Sequence, residues 1–304
     1  MSPPPTHRFD PARFLTPKPL AGGAPALVIL NQPVPRLDVF ERLWTHAAYR
    51  LCADGGANRL FDMCDDPSNT KSNGHHEEDA AAAGCRERFL PSVIHGDLDS
   101  LRDDVRDWYA SRGVPISRDL DQYSTDFGKA IKKVTVEHCN RTAGAGQTKN
   151  GCTESRDGAA GQEHTANGVE QDGSGDAGTD ILILCTLAGR VDQGLGLLYE
   201  MLRTHNQHNA LRLWLFSESS VSFILPPGEN RIAVRAGFFT ENVGILPAFG
   251  PATISTSGLE WDVSDWYTCV TGNVSTSNHV KAEEVVVRTD ASVLFTIERE
   301  ERLP

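Results

Sequence analysis

Residues 91–100 read Pro91-Ser92-Val93-Ile94-His95-Gly96-Asp97-Leu98-Asp99-Ser100, an apolar run that ends in two carboxylates one residue apart. The run predicts a buried strand, and both aspartates then lie where that strand meets a loop. Carboxylate oxygens are the ligands that Mg²⁺ prefers, and a site with few of them leaves positions open for water and phosphate oxygens. The stretch therefore favours magnesium-dependent phosphate chemistry. The alternative is an Asp97 that caps a helix beside a solvated Asp99.

Strands and helices alternate on both sides of this stretch. Strands are predicted at 26–30, 50–53, 92–95, 116–118, 181–187 and 211–216, and helices at 37–48, 57–63, 103–112, 126–138 and 193–203. Such alternation is typical of crossover connections, which build a mostly parallel sheet covered by helices on both faces. We therefore predict an N-terminal α/β catalytic domain over residues 26–225, preceded by an N-terminal tail over residues 1–25.

The pattern changes after Pro226-Pro227-Gly228. Short segments rich in β-branched residues follow at 231–235, 253–257, 267–270, 284–288 and 293–298, separated by Gly, Pro and Asn. Because no helical period of useful length interrupts them, they predict an antiparallel β-sandwich or barrel. We assign residues 226–304 to this C-terminal β-sandwich domain.

Two segments are predicted as insertions in the α/β domain. Residues 140–178 are rich in glycine and, apart from Val169, contain no large aliphatic or aromatic side chain. Such a segment cannot bury enough surface to offset the entropy of ordering it, so it is predicted to be disordered. Residues 65–88 are similar. Their run His75-His76-Glu77-Glu78-Asp79 resembles a metal cluster, but a solvated charge run is the favoured interpretation.

Charge and cysteine content narrow the class of protein. The formal net charge of −12 argues against a nucleic-acid partner, which would need a basic surface. The seven cysteines form no Cys-x-x-Cys pair, so free thiols in a reducing compartment are expected. No secretory leader and no run long enough to span a bilayer is visible, so we predict a cytoplasmic protein with no membrane partner.

Polar clusters follow three further strands of the predicted sheet. They are Asp54-Gly55-Gly56-Ala57-Asn58, Asp121-Gln122-Tyr123-Ser124-Thr125-Asp126 and Gly189-Arg190-Val191-Asp192-Gln193. The carboxyl ends of the strands form the ligand-binding edge of an open α/β sheet, so these clusters and the Asp97 stretch are expected to converge on one cleft. Four ordinary helix-capping aspartates are the alternative.

Each cluster offers a part that phosphate transfer needs. Asp97, Asp99 and Asp126 could hold Mg²⁺, which bridges phosphate oxygens and neutralises charge. Arg190 offers a planar fork of donors. Glycines 55 and 56 would let the backbone approach a ligand, and Ser124 or Thr125 would cap the helix that begins at Asp126. Gly128-Lys129 is followed by Ala130 rather than Ser or Thr, so a Walker A loop is excluded.

These clusters resemble the ordered motifs of the thiamine pyrophosphokinase family. Leu30-Asn31-Gln32-Pro33 precedes them, and Thr256-Ser257-Gly258-Leu259-Glu260-Trp261 and Ser275-Thr276-Ser277-Asn278 follow them in the order that the family shows. The resemblance covers about residues 26–300 apart from the insertions. It implies an enzyme that transfers the diphosphate of its co-substrate ATP, as Mg-ATP, to the hydroxyl of thiamine and releases AMP. It also implies a homodimer, with thiamine between the α/β domain of one subunit and the β domain of the other.

The resemblance also implies a role for each residue of this sequence that matches a motif of the family. Asp97, Asp99 and Asp126 would be catalytic and bind the metal, with Asp54 and Asp192 supporting the site. Apart from the resemblance, we expect Asp97 to accept the hydroxyl proton, with a metal-bound route that needs no dedicated base as the alternative. Nucleotide would be bound by Asn31, Gln32, Gln122, Thr125 and Arg190, and thiamine by Ser257, Trp261, Ser277 and Asn278. Trp is the best ring face for the cationic thiazolium, although a Trp261 in the β-domain core is the alternative. Glu260 and Asp262 depart from the family pattern, which has Lys and Asn there.

Two other functions compete with thiamine diphosphokinase. A nucleotide-sugar transferase could use Asp97-Leu98-Asp99 to hold a metal, but it gives Trp261 no role. A thiamine-binding regulator without turnover would not need acids at 97, 99 and 126. The motifs therefore favour the diphosphokinase.

Overall fold

A computed structural model describes residues 5–20, 23–34, 36–66, 75–121, 123–143, 179–184, 187, 190–208 and 210–304. Most of the predicted insertion at 140–178 lies outside these ranges, as do Gln122 and Gly189. In the described part of the chain, none of the helices combines the length and the apolarity that crossing a bilayer requires.

The N-terminal half is built on parallel strands. They are β2 (Ala26–Ile29), β3 (Tyr49–Ala53), β4 (Val93–Gly96), β5 (Ile116–Arg118), β6 (Thr179–Leu184) and β7 (Leu211–Phe216), in the order β7-β6-β2-β3-β4-β5. Helices α1 (Leu37–His46), α2 (Gly56–Met63), α3 (His75–Arg88), α4 (Asp103–Ser111), α5 (Asp126–Ala143) and α6 (Val191–Gln207) lie between them in sequence. Every residue of β2 and of β4 is buried, as expected for strands covered on both faces. The predicted mostly parallel α/β architecture is confirmed.

Antiparallel strands extend this sheet and add a second one. β8 (Ser220–Leu225), β10 (Phe239–Leu246), β13 (Ser275–His279) and β15 (Val293–Arg299) continue it beyond β7 in the order β13-β10-β15-β8. β1 (Thr6–Phe9), β9 (Gly228–Ala233), β11 (Ala252–Ser257), β12 (Trp266–Thr268) and β14 (Glu284–Thr289) form a five-stranded sheet. Side chains of both sheets, such as Phe295 and Val287, share one apolar core. The predicted C-terminal antiparallel β-sandwich is thus confirmed, and one sheet runs through both halves.

The N-terminal residues differ from the predicted tail. β1 pairs in parallel with β9, and a 3₁₀ helix at Pro11–Leu15 follows it. Phe14 is fully buried, and the Phe9 ring stacks on Phe223 with centroids 5.1 Å apart. The prediction of a tail is therefore wrong for residues 6–15. The strand is too short to show a period of two, and its partner lies more than two hundred residues away, where local pattern carries no information.

Residues 75–88, in the second predicted insertion, also differ from the prediction, whereas residues 67–74 lie outside the described part of the chain. α3 is a helix, and a disulfide joins Cys85 in this helix to Cys64 at the end of α2. The Arg86 guanidinium lies 3.8 Å from the Phe61 ring centroid and pairs with Asp65. A covalent bond and an Arg contact thus hold the C-terminal end of this helix, and neither can be read from composition. The expectation of free thiols is wrong for this pair, whereas Cys52 and Cys269 are free.

Loss of this disulfide should destabilise the protein measurably. Closing a loop of 21 residues removes unfolded-state entropy worth about 3 kcal/mol in the free energy of unfolding. Cys85→Ser should lower the urea midpoint accordingly, and dithiothreitol should have the same effect on the wild type. Cys269→Ser, which removes a free thiol, is the matched control. Equal midpoints for both variants under oxidising conditions would contradict the disulfide.

Candidate functional site

Asp54 directly follows β3 and turns its side chain into the sheet edge. Its φ of +44° lies in the left-handed region, where Asp is tolerated better than most residues. The side chain is fully buried. Its Oδ2 accepts the Ser100 N–H at 3.1 Å, whereas Oδ1 is buried without a hydrogen-bond partner. A buried, unpaired carboxylate oxygen is costly in isolation, so Oδ1 is a candidate ligand atom for a cation.

Three carboxylates converge at the carboxyl end of the sheet. One oxygen each of Asp54, Asp97 and Asp126 lies within 4.8 Å of the other two. Asp54 follows β3, Asp97 follows β4, and Asp126 opens α5 after β5. Because these strands are neighbours in the sheet, their carboxyl ends bring the three side chains together. We call these residues the carboxylate cluster.

Asp99 lies outside the carboxylate cluster. It is exposed, and its Oδ1 accepts the Ser100 hydroxyl at 3.1 Å. Leu98, between the two aspartates, has a φ of +67°, so the chain turns between Asp97 and Asp99. The structure therefore groups Asp97 and Asp126 of the predicted metal set with Asp54, which was predicted only as a supporting residue.

A buried lysine, Lys129, lies beside the carboxylate cluster. The Lys129 Nζ lies 2.7 Å from Asp97 Oδ2 and 3.9 Å from Asp126 Oδ1, and only 2% of the residue is exposed. Lys129 follows Asp126 by three positions on α5, so both side chains lie on one helix face. Sequence reasoning considered Lys129 only as a Walker lysine and missed this role. Its spacing from Asp126 was the signal that could have found it.

The surroundings of the three aspartates lower the pKa of Asp97 and raise the pKa values of Asp54 and Asp126. The hydrogen bond from Lys129 lowers the pKa of Asp97. Burial, together with the negative charge of Asp97, raises the pKa of Asp126, and burial with the charges of Asp126 and Asp97 raises that of Asp54. Burial alone would lower the pKa of Lys129, but its bonds and charges to the carboxylates raise it. Two of the three carboxylates are thus destabilised as anions, a condition that a bound dication relieves.

Helix α2 holds the loop that carries Asp97. The Asn58 side chain donates to the Ser100 carbonyl at 2.7 Å and accepts the Arg102 N–H at 3.1 Å. Arg102 in turn forms a bidentate pair with Asp62 at 2.8 and 2.7 Å. The motif that begins at Asp54 therefore supplies one carboxylate and also fixes the loop that supplies another.

The two glycines of that motif make room for protein atoms. A Cβ on Gly55 would lie 2.4 Å from the Asn31 side-chain nitrogen, and a Cβ on Gly56 would lie 2.3 Å from the Ile29 carbonyl oxygen. Asn31 is placed there and accepts the Arg59 guanidinium at 3.0 Å. These glycines thus let α2 begin directly against the end of β2, which brings the predicted nucleotide residue Asn31 to the same edge.

Two of the remaining predicted nucleotide residues, Thr125 and Arg190, directly precede helices. Thr125 accepts the Gly128 N–H at 3.1 Å and caps α5, as predicted. Arg190 and Asp192 pair with each other at 3.1 and 2.6 Å at the start of α6, and both are exposed. Gln32 is half-buried beside Asn31. Gln122 lies outside the described residues.

The chain matches one family of known proteins over both halves. Residues 40–215 match the family model "Thiamin pyrophosphokinase, catalytic domain", and residues 229–294 match "Thiamin pyrophosphokinase, vitamin B1 binding domain". The chain belongs to the thiamin pyrophosphokinase family. The predicted family membership is therefore confirmed.

Relatives in plants and fungi show how far the similarity extends. The chain is 34% identical to thiamine pyrophosphokinase 1 of Arabidopsis thaliana, over 90% of this chain and 85% of that protein. It is 31% identical to thiamine pyrophosphokinase 2 of Oryza sativa subsp. japonica, with the same coverage. The solved structure of thiamin pyrophosphokinase from Candida albicans superposes with a TM-score of 0.73 at 25% identity, over 99% of this chain and 95% of that one.

The tryptophan predicted to contact thiamine is exposed in this member of the thiamin pyrophosphokinase family. Trp261 lies in the loop between β11 and β12, and 55% of it is accessible, so the alternative of a core Trp is wrong. The backbone N–H of Trp261 donates to the Asn278 side-chain oxygen at 3.2 Å, and the Asn278 side-chain nitrogen donates to the Trp261 carbonyl at 3.0 Å. The His279 ring lies 5.1 Å from the indole, tilted by 42°. Asn278 therefore positions Trp261 and is itself buried.

The predicted thiamine-binding serines lie near this loop. Ser277 on β13 has a φ of +57° and lines a cavity of about 420 Å³ together with Ser219 and Asn242. Ser257 is exposed at the end of β11.

The two residues that depart from the family pattern, Glu260 and Asp262, both have hydrogen-bond or ion-pair partners in the structure. Asp262 accepts three hydrogen bonds within its own loop, and Glu260 pairs with His279 at 2.7 Å and with Lys281 at 3.1 Å.

Proposed function

We propose that this chain is a thiamine diphosphokinase, which transfers the terminal diphosphate of ATP to the thiamine hydroxyl and releases AMP. The observation that carries the proposal is the carboxylate cluster, found at the ligand-binding edge of a chain whose two halves match the catalytic and vitamin B1 binding domains of one family. Neither alternative function accounts for both halves. A nucleotide-sugar transferase needs no vitamin B1 binding domain, and a regulator without turnover needs no carboxylate cluster.

We also propose that the carboxylate cluster holds Mg²⁺. Asp54, Asp97 and Asp126 offer hard oxygen ligands, and Asp54 Oδ1 is a buried acceptor with no other partner. When bound, Mg²⁺ supplies positive charge that orients phosphate oxygens and neutralises them as the leaving group departs. Asp99 would support the site from its rim, and Asp192 would do so through Arg190.

The reaction is an in-line displacement at the β-phosphorus. The thiamine hydroxyl oxygen forms the new bond, and the bond from the β-phosphorus to the oxygen that bridges it to the α-phosphorus breaks, so AMP leaves with that oxygen. The N–H groups that open α5 and the fork of Arg190 would bind the phosphates, with Asn31, Gln32, Gln122 and Thr125 around the nucleotide. Catalysis then rests on positioning and charge neutralisation.

The acceptor of the hydroxyl proton predicted from sequence is Asp97. In the metal-free protein the hydrogen bond from Lys129 lowers the pKa of Asp97, whereas burial and the charge of Asp97 raise the pKa of Asp126. A dication held by both carboxylates would lower the pKa of each, so this difference assigns no proton acceptor, and Asp97 stays a prediction.

Strand order supports a site shared between two copies of the chain. The carboxylate cluster follows β3 and β4, whereas Asn278, which positions Trp261, lies on β13 at the far edge of the same sheet. β4 and β13 are eight strand spacings apart, which corresponds to roughly 38 Å at about 4.8 Å per strand. Thiamine bound at Trp261 cannot reach ATP at the carboxylate cluster of the same chain over that distance. We therefore propose a homodimer in which the partner's Trp261 completes each site.

Coexpression of two inactive variants tests the shared site. Asp97→Asn and Trp261→Ala should each be nearly inactive at low thiamine, because one lacks the metal ligand and the other the ring face. In a mixed dimer one of the two sites combines an intact Asp97 with an intact Trp261. Random mixing should therefore restore about one quarter of the wild-type activity. Activity no higher than the sum of the separate variants would contradict a shared site.

A product assay tests the function itself. The protein is incubated with thiamine, Mg²⁺ and ATP, and products are separated by chromatography. Equal amounts of AMP and thiamine diphosphate are expected. Thiamine binding without AMP would favour the regulator, and hydrolysis of a sugar nucleotide in place of these products would favour the transferase.

A further inference from the structure

We infer that Lys129 is a positioning residue that acts as the internal counterion of the carboxylate cluster: it holds Asp97 in place in the metal-free protein and weakens the binding of the metal. The inference rests on the proposed metal site and goes beyond it, because it assigns a function to a side chain that contributes no metal ligand. An ammonium cannot coordinate a cation, so Lys129 acts on the metal only through charge and through Asp97.

The contacts of Lys129 are those of a counterion. Its Nζ donates to Asp97 Oδ2 at 2.7 Å and lies 3.9 Å from Asp126 Oδ1. Asp119 adds a third favourable charge to the same ammonium. A lysine that is 2% exposed is uncommon unless its charge is paired, since burial of an unpaired charge is strongly unfavourable. Its place in the interior is therefore explained by the carboxylates around it.

The charge balance of the cluster depends on this one residue. Three ionised carboxylates within 4.8 Å of one another repel strongly, and the ammonium reduces their summed charge from three negative charges to two. Without Lys129 the metal-free cluster would be less stable, because like charges would face each other without compensation. The same loss would leave a more negative site, which attracts a dication more strongly.

Removal of the ammonium should thus have two effects of opposite sign. Stability without metal falls, and affinity for the metal rises. If Lys129 served only packing, its removal would lower the stability without metal and leave the metal affinity unchanged. If it served only to preorganise the ligands, its removal would weaken metal binding. The combination distinguishes a counterion from both.

The test compares Lys129→Met with the wild type, using Mn²⁺ as the probe because it prefers the same oxygen ligands and its free form is measured by electron paramagnetic resonance. In EDTA the thermal midpoint of Lys129→Met should be lower by about 4 °C or more. Its Kd for Mn²⁺ should be about tenfold tighter than that of the wild type. Lys129→Arg keeps the charge and should stay within about twofold of the wild-type Kd. Lys132→Met, on an exposed position of the same helix, is the matched control and should change neither quantity.

Each outcome decides the inference. An unchanged or weaker Kd for Mn²⁺ in Lys129→Met overturns it while leaving the metal site intact. Absence of Mn²⁺ binding in the wild type instead overturns the proposed metal site, and the inference with it. If Lys129→Met is not recovered folded, Lys129→Gln keeps a donor for Asp97 without the charge, and the same tighter Kd is expected.

Discussion

Asp97→Asn is expected to lower the rate of AMP and thiamine diphosphate formation on the order of 10³-fold. The substitution replaces the carboxylate that faces both Lys129 and the cluster with a neutral amide, so the metal site loses a charge and an anionic ligand. The loss should appear mainly in kcat, because the missing interaction stabilises charge that develops during transfer. Steady-state assays of both products at saturating thiamine and ATP measure it.

The control for this variant is Asp107→Asn. Asp107 is an exposed aspartate on α4 that pairs with its neighbour Arg106, so its loss should leave turnover unchanged. Far-UV circular dichroism should show that Asp97→Asn keeps the fold, although its midpoint falls because the buried Lys129 loses its closest partner. Turnover of Asp97→Asn close to that of the wild type would overturn the assignment of Asp97 to the reaction centre.

Asp54→Asn should lose on the order of 10²-fold in turnover or more, and yet unfold at a higher temperature in EDTA. Asp54 is fully buried near two other carboxylates, and its Oδ1 has no hydrogen-bond partner. An amide removes the repulsion, still accepts the Ser100 N–H, and tolerates the left-handed backbone at this position. The charge of Asp54 is therefore needed for the proposed activity, although it destabilises the metal-free fold.

The pH dependence of this stabilisation has a definite sign. Burial and the neighbouring charges raise the pKa of Asp54 in the folded protein above its ordinary value. The ionised side chain therefore destabilises the wild type increasingly as pH rises through that folded pKa. The midpoint difference between Asp54→Asn and the wild type should be largest at neutral pH and shrink as pH falls toward the ordinary value of Asp. A variant that is less stable than the wild type in EDTA at neutral pH would contradict this explanation.

The architecture of the parallel sheet could be predicted from sequence because local pattern determines it. Buried strands such as β2 are continuous apolar runs, and amphipathic helices follow them. The strands that escaped prediction are β1, β8, β10 and β13, and two of them, β1 and β13, depend on partners distant in sequence. β1 is ordered by β9, and β13 is a polar edge strand whose sequence, Ser275-Thr276-Ser277-Asn278-His279, lacks an apolar face. Tertiary pairing, rather than local propensity, fixes both.

The site could be predicted in outline for the same reason. Motifs at strand ends identify Asp97 and Asp126, since the sheet brings strand ends together. The importance of Asp54 depends on a positive φ that directs its side chain inward, and the importance of Lys129 depends on burial. Neither property is visible in a single sequence. Asp99 was predicted in the metal set because it lies two positions after Asp97 in an Asp-x-Asp motif, but the structure brings Asp54 rather than Asp99 together with Asp97 and Asp126.

The central claim is that Asp54, Asp97 and Asp126 hold the metal that diphosphate transfer requires. A crystal structure with Mn²⁺ and α,β-methylene ATP, whose methylene bridge replaces the oxygen that must leave, tests it most directly. We expect an anomalous difference peak bounded by carboxylate oxygens of all three residues, with the phosphates of the analogue on its open side. A Mn²⁺ peak on the phosphates without contact to any of the three aspartates would contradict the claim.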